Sequence, residues 1–178
     1  MILDGPQIRL RPWSVDDVDA LVRHADDREI WRHLTDRFPH PYQLSDAQEW
    51  IAIVSNEGDP TRTFAIEMSG EPVGAVGLIP QVDLRRQTAE VGYWVSRNHW
   101  GRGIATEALR LLSAHAFSQF DFVRLEALVI DGNPASCRVL EKAGYAFESR
   151  QRQGICKAGQ IKDGLIYALL RDEWASTV

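Results

Sequence analysis

Between residues 88 and 118 the hydrophobic period of the chain changes across one tripeptide. "TAEVGYWVS" (88–96) alternates, with Ala89, Val91, Tyr93 and Val95 on one face and Glu90 and Trp94 on the other. Ile104, Ala108, Leu111, Leu112 and Ala116 then recur at helical spacing, predicting a helix over 104–118. Gly101-Arg102-Gly103 sits at the join. Glycine inside a helix costs roughly 0.5–1 kcal/mol against alanine, so this pair belongs to the turn and the helix start. The first amides of a helix lack intrahelical partners, and the macrodipole makes that end positive. Glycine lets a bulky anion approach such backbone closely, and phosphate or pyrophosphate is the natural ligand, with Arg97 and Arg102 adding charge. The same residues also suit a tight strand-to-helix turn with no ligand. Thr106 stands where a dinucleotide fingerprint needs its third glycine, and no G-K-[ST] follows, so this is neither a Rossmann nor a Walker loop.

Around this join the chain reads as alternating elements. "QIRLRPW" (7–13) is a strand, and Ser14 caps a helix carrying Val15, Val18, Leu21 and Val22 on one face. "HLTDRFPHPYQL" (33–44) is a loop; Ser45 and Gln48 form a capping box that opens the next helix. Residues 62–68 and 71–80 are strands joined by a Ser69-Gly70 hairpin turn. A strand at 123–130 precedes a helix capped by Asn133, with Pro134 at its first position and Gly144 at its end. Two strands, 145–155 and 161–174, close the chain. The order predicts one domain over 1–178 with α/β (α+β) architecture, a mixed sheet of about seven strands flanked by helices. Strands 88–96 and 123–130 are joined through a helix and are expected to be parallel. Asn133 and the glycine turn then open on the same sheet edge, where α/β folds bind ligands.

Composition narrows the function. The net charge is 20 − 25 = −5 with no basic run, against a nucleic-acid binder. Cys137 and Cys156 form no C-x-x-C, so no metal site is expected. No apolar stretch approaches the ~18 residues of a membrane span. These features predict a cytoplasmic protein, without membrane or nucleic-acid partners.

"AEVGYWV", "WGRGIATEAL" and "NPASCRVLEKAGY" together resemble the GNAT superfamily of acetyl-CoA-dependent N-acetyltransferases, most nearly its RimJ/RimL-type branch. The likeness extends from "IRLRPW" to "DGLIYALLRDEW". It implies a GNAT fold and acetyl-CoA as cosubstrate. The family's pyrophosphate loop, Q/R-x-x-G-x-G/A, falls on Trp100-Gly101-Arg102-Gly103-Ile104-Ala105, with tryptophan replacing Gln or Arg. The resemblance assigns the pyrophosphate to amides from Arg102 to Thr106, the pantetheine arm to the backbone of Trp94 and Val95, and an amide contact to Asn133.

Acetyl transfer needs a neutral amine and a donor to the departing thiolate. Many members carry a tyrosine seven residues after the motif asparagine; this chain has Leu140 there. Ser136, three residues after it, matches the serine of RimL-like enzymes and is the candidate donor, or a plain first-turn serine. Glu90 lies mid-strand beside aromatics and is the candidate base, directly or through water, or a structural hydrogen-bond partner. Phe38 and Tyr42 fall where the family lines its acceptor side, and Asp163 matches a recurring aspartate near the closing strands. The expected acceptor is a primary amine: a protein N-terminus, or a small molecule such as a polyamine, aminoglycoside or amino-acid derivative. A non-catalytic acyl-CoA-binding module keeps the same loop. Either a monomer or a homodimer is compatible with the chain.

Overall fold

A computed structural model describes residues 1–175. Eight strands form one sheet: β1 (Leu3–Asp4), β2 (Arg9–Arg11), β3 (Thr63–Met68), β4 (Glu71–Pro80), β5 (Thr88–Val95), β6 (Arg124–Ile130), β7 (Ala146–Lys157) and β8 (Gln160–Leu170). Their order is β1-β2-β3-β4-β5-β6-β8-β7. The helices are α1 (Val18–Ala25), α2 (Arg28–Trp31), α3 (Leu44–Ser55), α4 (Ile104–Gln119), α5 (Pro134–Lys142) and α6 (Arg171–Ala175). The mixed sheet matches expectation, with two-residue β1 as the strand beyond seven.

Strand alternation builds two cores. Phe64, Ile66, Val76 and Val91 point to the face covered by α4 and α5, packing with Leu109, Leu112, Leu125 and Leu140. Ala65 and Ala75 point to the other face, where their small side chains admit Leu21 of α1 and Ile51 of α3. The Ser69-Gly70 turn forms as expected, with φ of 55° and 84°.

Local chemistry moved some boundaries. The helix expected to open at Ser45 opens at Leu44: Gln43 and Asp46 form the capping box, and the Gln43 amide donates to Asp46 Oδ2 at 2.7 Å. Short α2 starts where Asp27 Oδ1 accepts from the Glu29 amide at 2.7 Å. The last strand stops at Leu170, because the Arg171 guanidinium turns to the carbonyls of Phe120 and Phe122 at 2.7 and 2.8 Å. A helical turn replaces the expected strand end.

One junction shapes the site. β5 pairs with β4 from Ala89 to Val95 but with β6 only through Thr88↔Arg124, Ala89↔Leu125 and Glu90↔Glu126. This is the only parallel pairing in the sheet among the described residues. Beyond Glu90 the strands part, and a wedge opens between β5 and β6.

Gly74 of β4 holds the wedge wall tightly. A Cβ there would lie 2.3 Å from the Trp94 carbonyl oxygen and 3.0 Å from Val95 Cα, both backbone. Gly74→Ala should destabilise the fold by about 1–3 kcal/mol, the usual cost of overpacking. Gly92→Ala, with nothing within 4 Å of the added Cβ, is the control and should change the urea midpoint little.

Candidate active site

β5 runs into a short turn and then α4. Gly101 and Gly103 have φ of 76° and 83°, the left-handed region glycine occupies without strain. A Cβ on either would find open space. Gly103 is the N-cap of sixteen-residue α4, and no side chain caps that helix. The first-turn amides of Ile104, Ala105 and Thr106 therefore present a bare positive end, which fits a pyrophosphate. Exposed Arg97 and Arg102 flank the turn without salt-bridge partners among the described residues. Trp100, the residue that departs from the family pattern, donates its indole N–H to the Val95 carbonyl at 2.6 Å. It thus fastens the turn to the strand end. Ser96 adds a second tie: its hydroxyl lies 2.9 Å from His24 Nδ1, and His24 Nε2 lies 3.2 Å from Glu71.

The wedge edge of β5 is what an extended amide-bearing arm would pair with. The Trp94 carbonyl faces Gly74 of β4, away from the wedge. Backbone alternation turns Val95 the opposite way, and its carbonyl takes Trp100. Of the two residues expected to pair with the arm, Val95 thus borders the wedge, while Trp94 contributes its side chain to the opposite core.

Across the wedge, Asn133 Oδ1 accepts from the Ser136 amide at 3.1 Å and caps α5. Ser136 Oγ lies 2.8 Å from the Tyr93 hydroxyl, joining α5 to β5. Burial pushes the Tyr93 phenol up to about 12, so it stays protonated near neutrality. Alternation alone marks Tyr93 as a core residue; nothing in the sequence pattern shows that its hydroxyl reaches Ser136. Leu140 is fully buried.

Glu90 emerges on the other sheet face, as expected. Its carboxylate makes no hydrogen bond among the described residues. Burial, then the neighbouring Glu126, raises its carboxyl above the ordinary range, and Arg85 opposes them. Glu126 itself is paired with Arg85 and Arg124. On this face Phe38 packs against Tyr42 and Trp94, with ring centroids 4.9 and 5.9 Å apart. The structure thus gathers Phe38, Tyr42 and Trp94 into one aromatic group. Asp163 stands apart from them: its carboxylate accepts from Arg150 at 2.6 Å and the Gln153 amide at 2.8 Å, within its own hairpin.

This arrangement has known counterparts. The family model described as "Acetyltransferase (GNAT) domain" matches residues 7–146. The chain belongs to this family of acetyl-CoA-dependent acetyltransferases. It is 29% identical over 171 residues to "Uncharacterized N-acetyltransferase p20" of Bacillus licheniformis, covering 95% of this chain and 96% of the relative. Mycobacterium smegmatis RimJ in complex with CoA-disulfide superposes with a TM-score of 0.83 at 27% identity, covering 97% of this chain and 87% of RimJ. RimL, titled a ribosomal L7/L12 alpha-N-protein acetyltransferase in complex with coenzyme A, gives 0.84 at 20% identity, covering 97% and 99%.

Two outcomes follow from the geometry. A carboxyl whose folded pKa is raised costs stability as pH rises from its unfolded to its folded value. Glu90→Gln removes that cost and no hydrogen bond, so its melting temperature at pH 7 should equal or exceed the wild type's. The gap should close at pH 3, where both side chains are neutral. A large loss at pH 7 would make Glu90 a structural partner. Trp100→Phe keeps the ring and deletes the donor; calorimetry should show acetyl-CoA affinity falling about three- to tenfold, as for one hydrogen bond of 0.5–1.5 kcal/mol.

Proposed function

We propose that this acetyltransferase acts on a free α-amine at the end of a peptide or protein chain. The supporting observation is Glu90, a half-buried carboxylate without a hydrogen-bond partner among the described residues, on the face that carries Phe38, Tyr42 and Trp94. A raised pKa makes it a better proton acceptor than an exposed carboxylate. An α-amine of pKa ~7.7–8.0 gives up its proton at pH 7 for about 1 kcal/mol, whereas a lysine near 10.4 needs roughly 4.6. A single carboxylate serves the first far better. Glu126 adds little net charge, because Arg85 and Arg124 neutralise it. A polyamine with several cations would meet one uncompensated carboxylate, which favours the α-amine. RimL, titled an alpha-N-protein acetyltransferase, shares this fold.

Acetyl-CoA supplies the thioester carbonyl. The residues divide the remaining work. Glu90 takes the ammonium proton directly or through water. The amine nitrogen bonds the carbonyl carbon as the C–S bond breaks, and the second proton it sheds on becoming an amide passes to the departing thiolate or to solvent. Ser136 donates a hydrogen bond to the departing sulfur, and Tyr93 orients the Ser136 hydroxyl. A thiol with pKa about 8.5, as for cysteine, leaves readily as thiolate, so this donor stabilises charge more than it transfers a proton. The amides from Arg102 to Thr106, in the turn and the start of α4, hold the pyrophosphate, and Asn133 offers its amide to the pantetheine region.

A thiol-release screen across N-terminal peptides, spermidine and aminoglycosides tests the acceptor. Peptides should give the highest kcat/KM; spermidine outpacing them overturns the reading. With the best peptide, Ser136→Ala should lower kcat about 10²–10³-fold, the usual loss of one oxyanion donor, with little change in the KM for acetyl-CoA. Glu90→Gln should lose about 10²–10⁴-fold at pH 7 and recover in part at pH 9.

A further inference from the structure

The chain has 13 glycines, and all but one have a visible reason. Seven adopt a positive φ, which side chains disfavour. Five others have a neighbouring atom within 3.2 Å of where a Cβ would stand. Gly92 has neither. Its φ lies outside the left-handed region, and a Cβ on it would meet nothing within 4 Å among the described residues. It sits in the middle of β5, the fifth strand of the eight-stranded sheet, and yet it is exposed. A glycine inside a strand weakens it and adds no packing. Within the chain that cost has no return, so the reason for a missing side chain lies with something that approaches from outside.

The surroundings of Gly92 show what approaches. Strand alternation puts it on one face with Glu90 before it and Trp94 after it, both half-buried. On one side it pairs with Gly77 of β4. On the other side β6 has already parted, since the last pairing is Glu90↔Glu126. Leu128 follows Glu126 by two residues and shares its face. Its Cδ1 lies over Gly164 of β8, where a Cβ would stand only 2.7 Å from it. β8 flanks β6 on the side away from β5, so this leucine leans out of the wedge. At this level one strand offers no side chain and the other turns its side chain aside. The bare backbone between a carboxylate and an indole is a floor just beyond the proposed base.

We propose that Gly92 seats the carbon next to the acceptor nitrogen, together with the first side chain that this carbon carries. The inference rests on the acceptor face assigned above. It names a difference among amines that charge alone does not draw. An α-amine at a chain end stands on a carbon with two further carbon substituents, whereas the terminal amine of a polyamine or a lysine stands on a CH2 group. A nitrogen held near Glu90 brings its substituted carbon over Gly92, where a Cβ of the enzyme would occupy the same space. Gly92 is thus a specificity-determining residue, and a larger side chain there selects against branched acceptors while leaving unbranched ones in place.

The test uses binding and needs no turnover. CoA is alkylated on sulfur with bromoacetyl-glycinamide or bromoacetyl-leucinamide, which joins an acceptor nitrogen to the acyl carbon. Calorimetry then measures both adducts and CoA on the wild type, Gly92→Ala and Gly92→Val. The wild type should bind the leucinamide adduct as tightly as the glycinamide adduct, within twofold, or more tightly. Gly92→Val should weaken the leucinamide adduct at least tenfold more than the glycinamide adduct, and CoA should keep its affinity within twofold. Gly92→Ala should shift the same ratio in the same direction by less. Thermal melts establish that both variants are folded, as the open space around the added Cβ predicts. A wild type that binds the leucinamide adduct more than twofold more weakly, or a Gly92→Val variant that separates the adducts by less than tenfold, overturns the seat. Failure of peptides to be acetylated in the thiol-release screen instead overturns the functional reading, and the adduct ratios still decide the role of Gly92.

Discussion

The short parallel pairing of β5 with β6 governs everything built around it. Three register pairs hold the strands, and then each goes its own way, β5 staying with β4 and β6 with β8. A parted sheet leaves main-chain donors and acceptors on an inner edge with no strand to satisfy them. The chain meets one of these needs itself, with the Trp100 indole on the Val95 carbonyl. The remaining edge is a template for an extended ligand rich in amides. Because the pair is parallel, both strands deliver their following helices to the same end, so the bare start of α4 and the Asn133-capped start of α5 stand on either side of the opening.

Strand alternation then divides the chemistry. Tyr93 and Glu90 are three residues apart on β5 and therefore lie on opposite faces. Tyr93 joins the α4–α5 side, where its hydroxyl meets Ser136. Glu90 joins the face of Trp94 and Phe38. Acyl transfer to an amine has the same two-sidedness, a sulfur departing from one direction and a nitrogen arriving from the other. Under the proposed roles, one strand bordering the wedge offers a group to each.

Much of this was legible in the residues. The change of period at Gly101-Arg102-Gly103, the Asn133-Pro134 helix start and the exposure of Glu90 and Trp94 to one face are all local, and local patterns survive folding. The Ser45–Gln48 box failed because Gln43 and Asp46 compete for the same helix start, and side-chain spacing cannot rank two such caps. Tyr93 escaped because its ring belongs in the core and only its hydroxyl reaches Ser136. The burial of Lys157, at the tip of the β7–β8 hairpin, was invisible for a different reason: its partners Trp31 and Asp36 lie more than a hundred residues away, and no periodicity links a hairpin tip to a distant loop. Asp163 was singled out on resemblance, and the structure places its carboxylate on Arg150 and Gln153.

The lack of a partner for Glu90 has a consequence for turnover. An arriving amine in water is mostly a cation, and the carboxylate is the nearest unbalanced charge for it to neutralise. After transfer the same nitrogen belongs to an amide with no charge at all. The attraction that drew the acceptor in has vanished, and Glu90, holding the proton it took, must give it up again at the cost of ionising in a half-buried place. Under this reading the ground favours release of the acetylated chain and admission of the next ammonium, so the one chemical event that forms the product also loosens the grip on it.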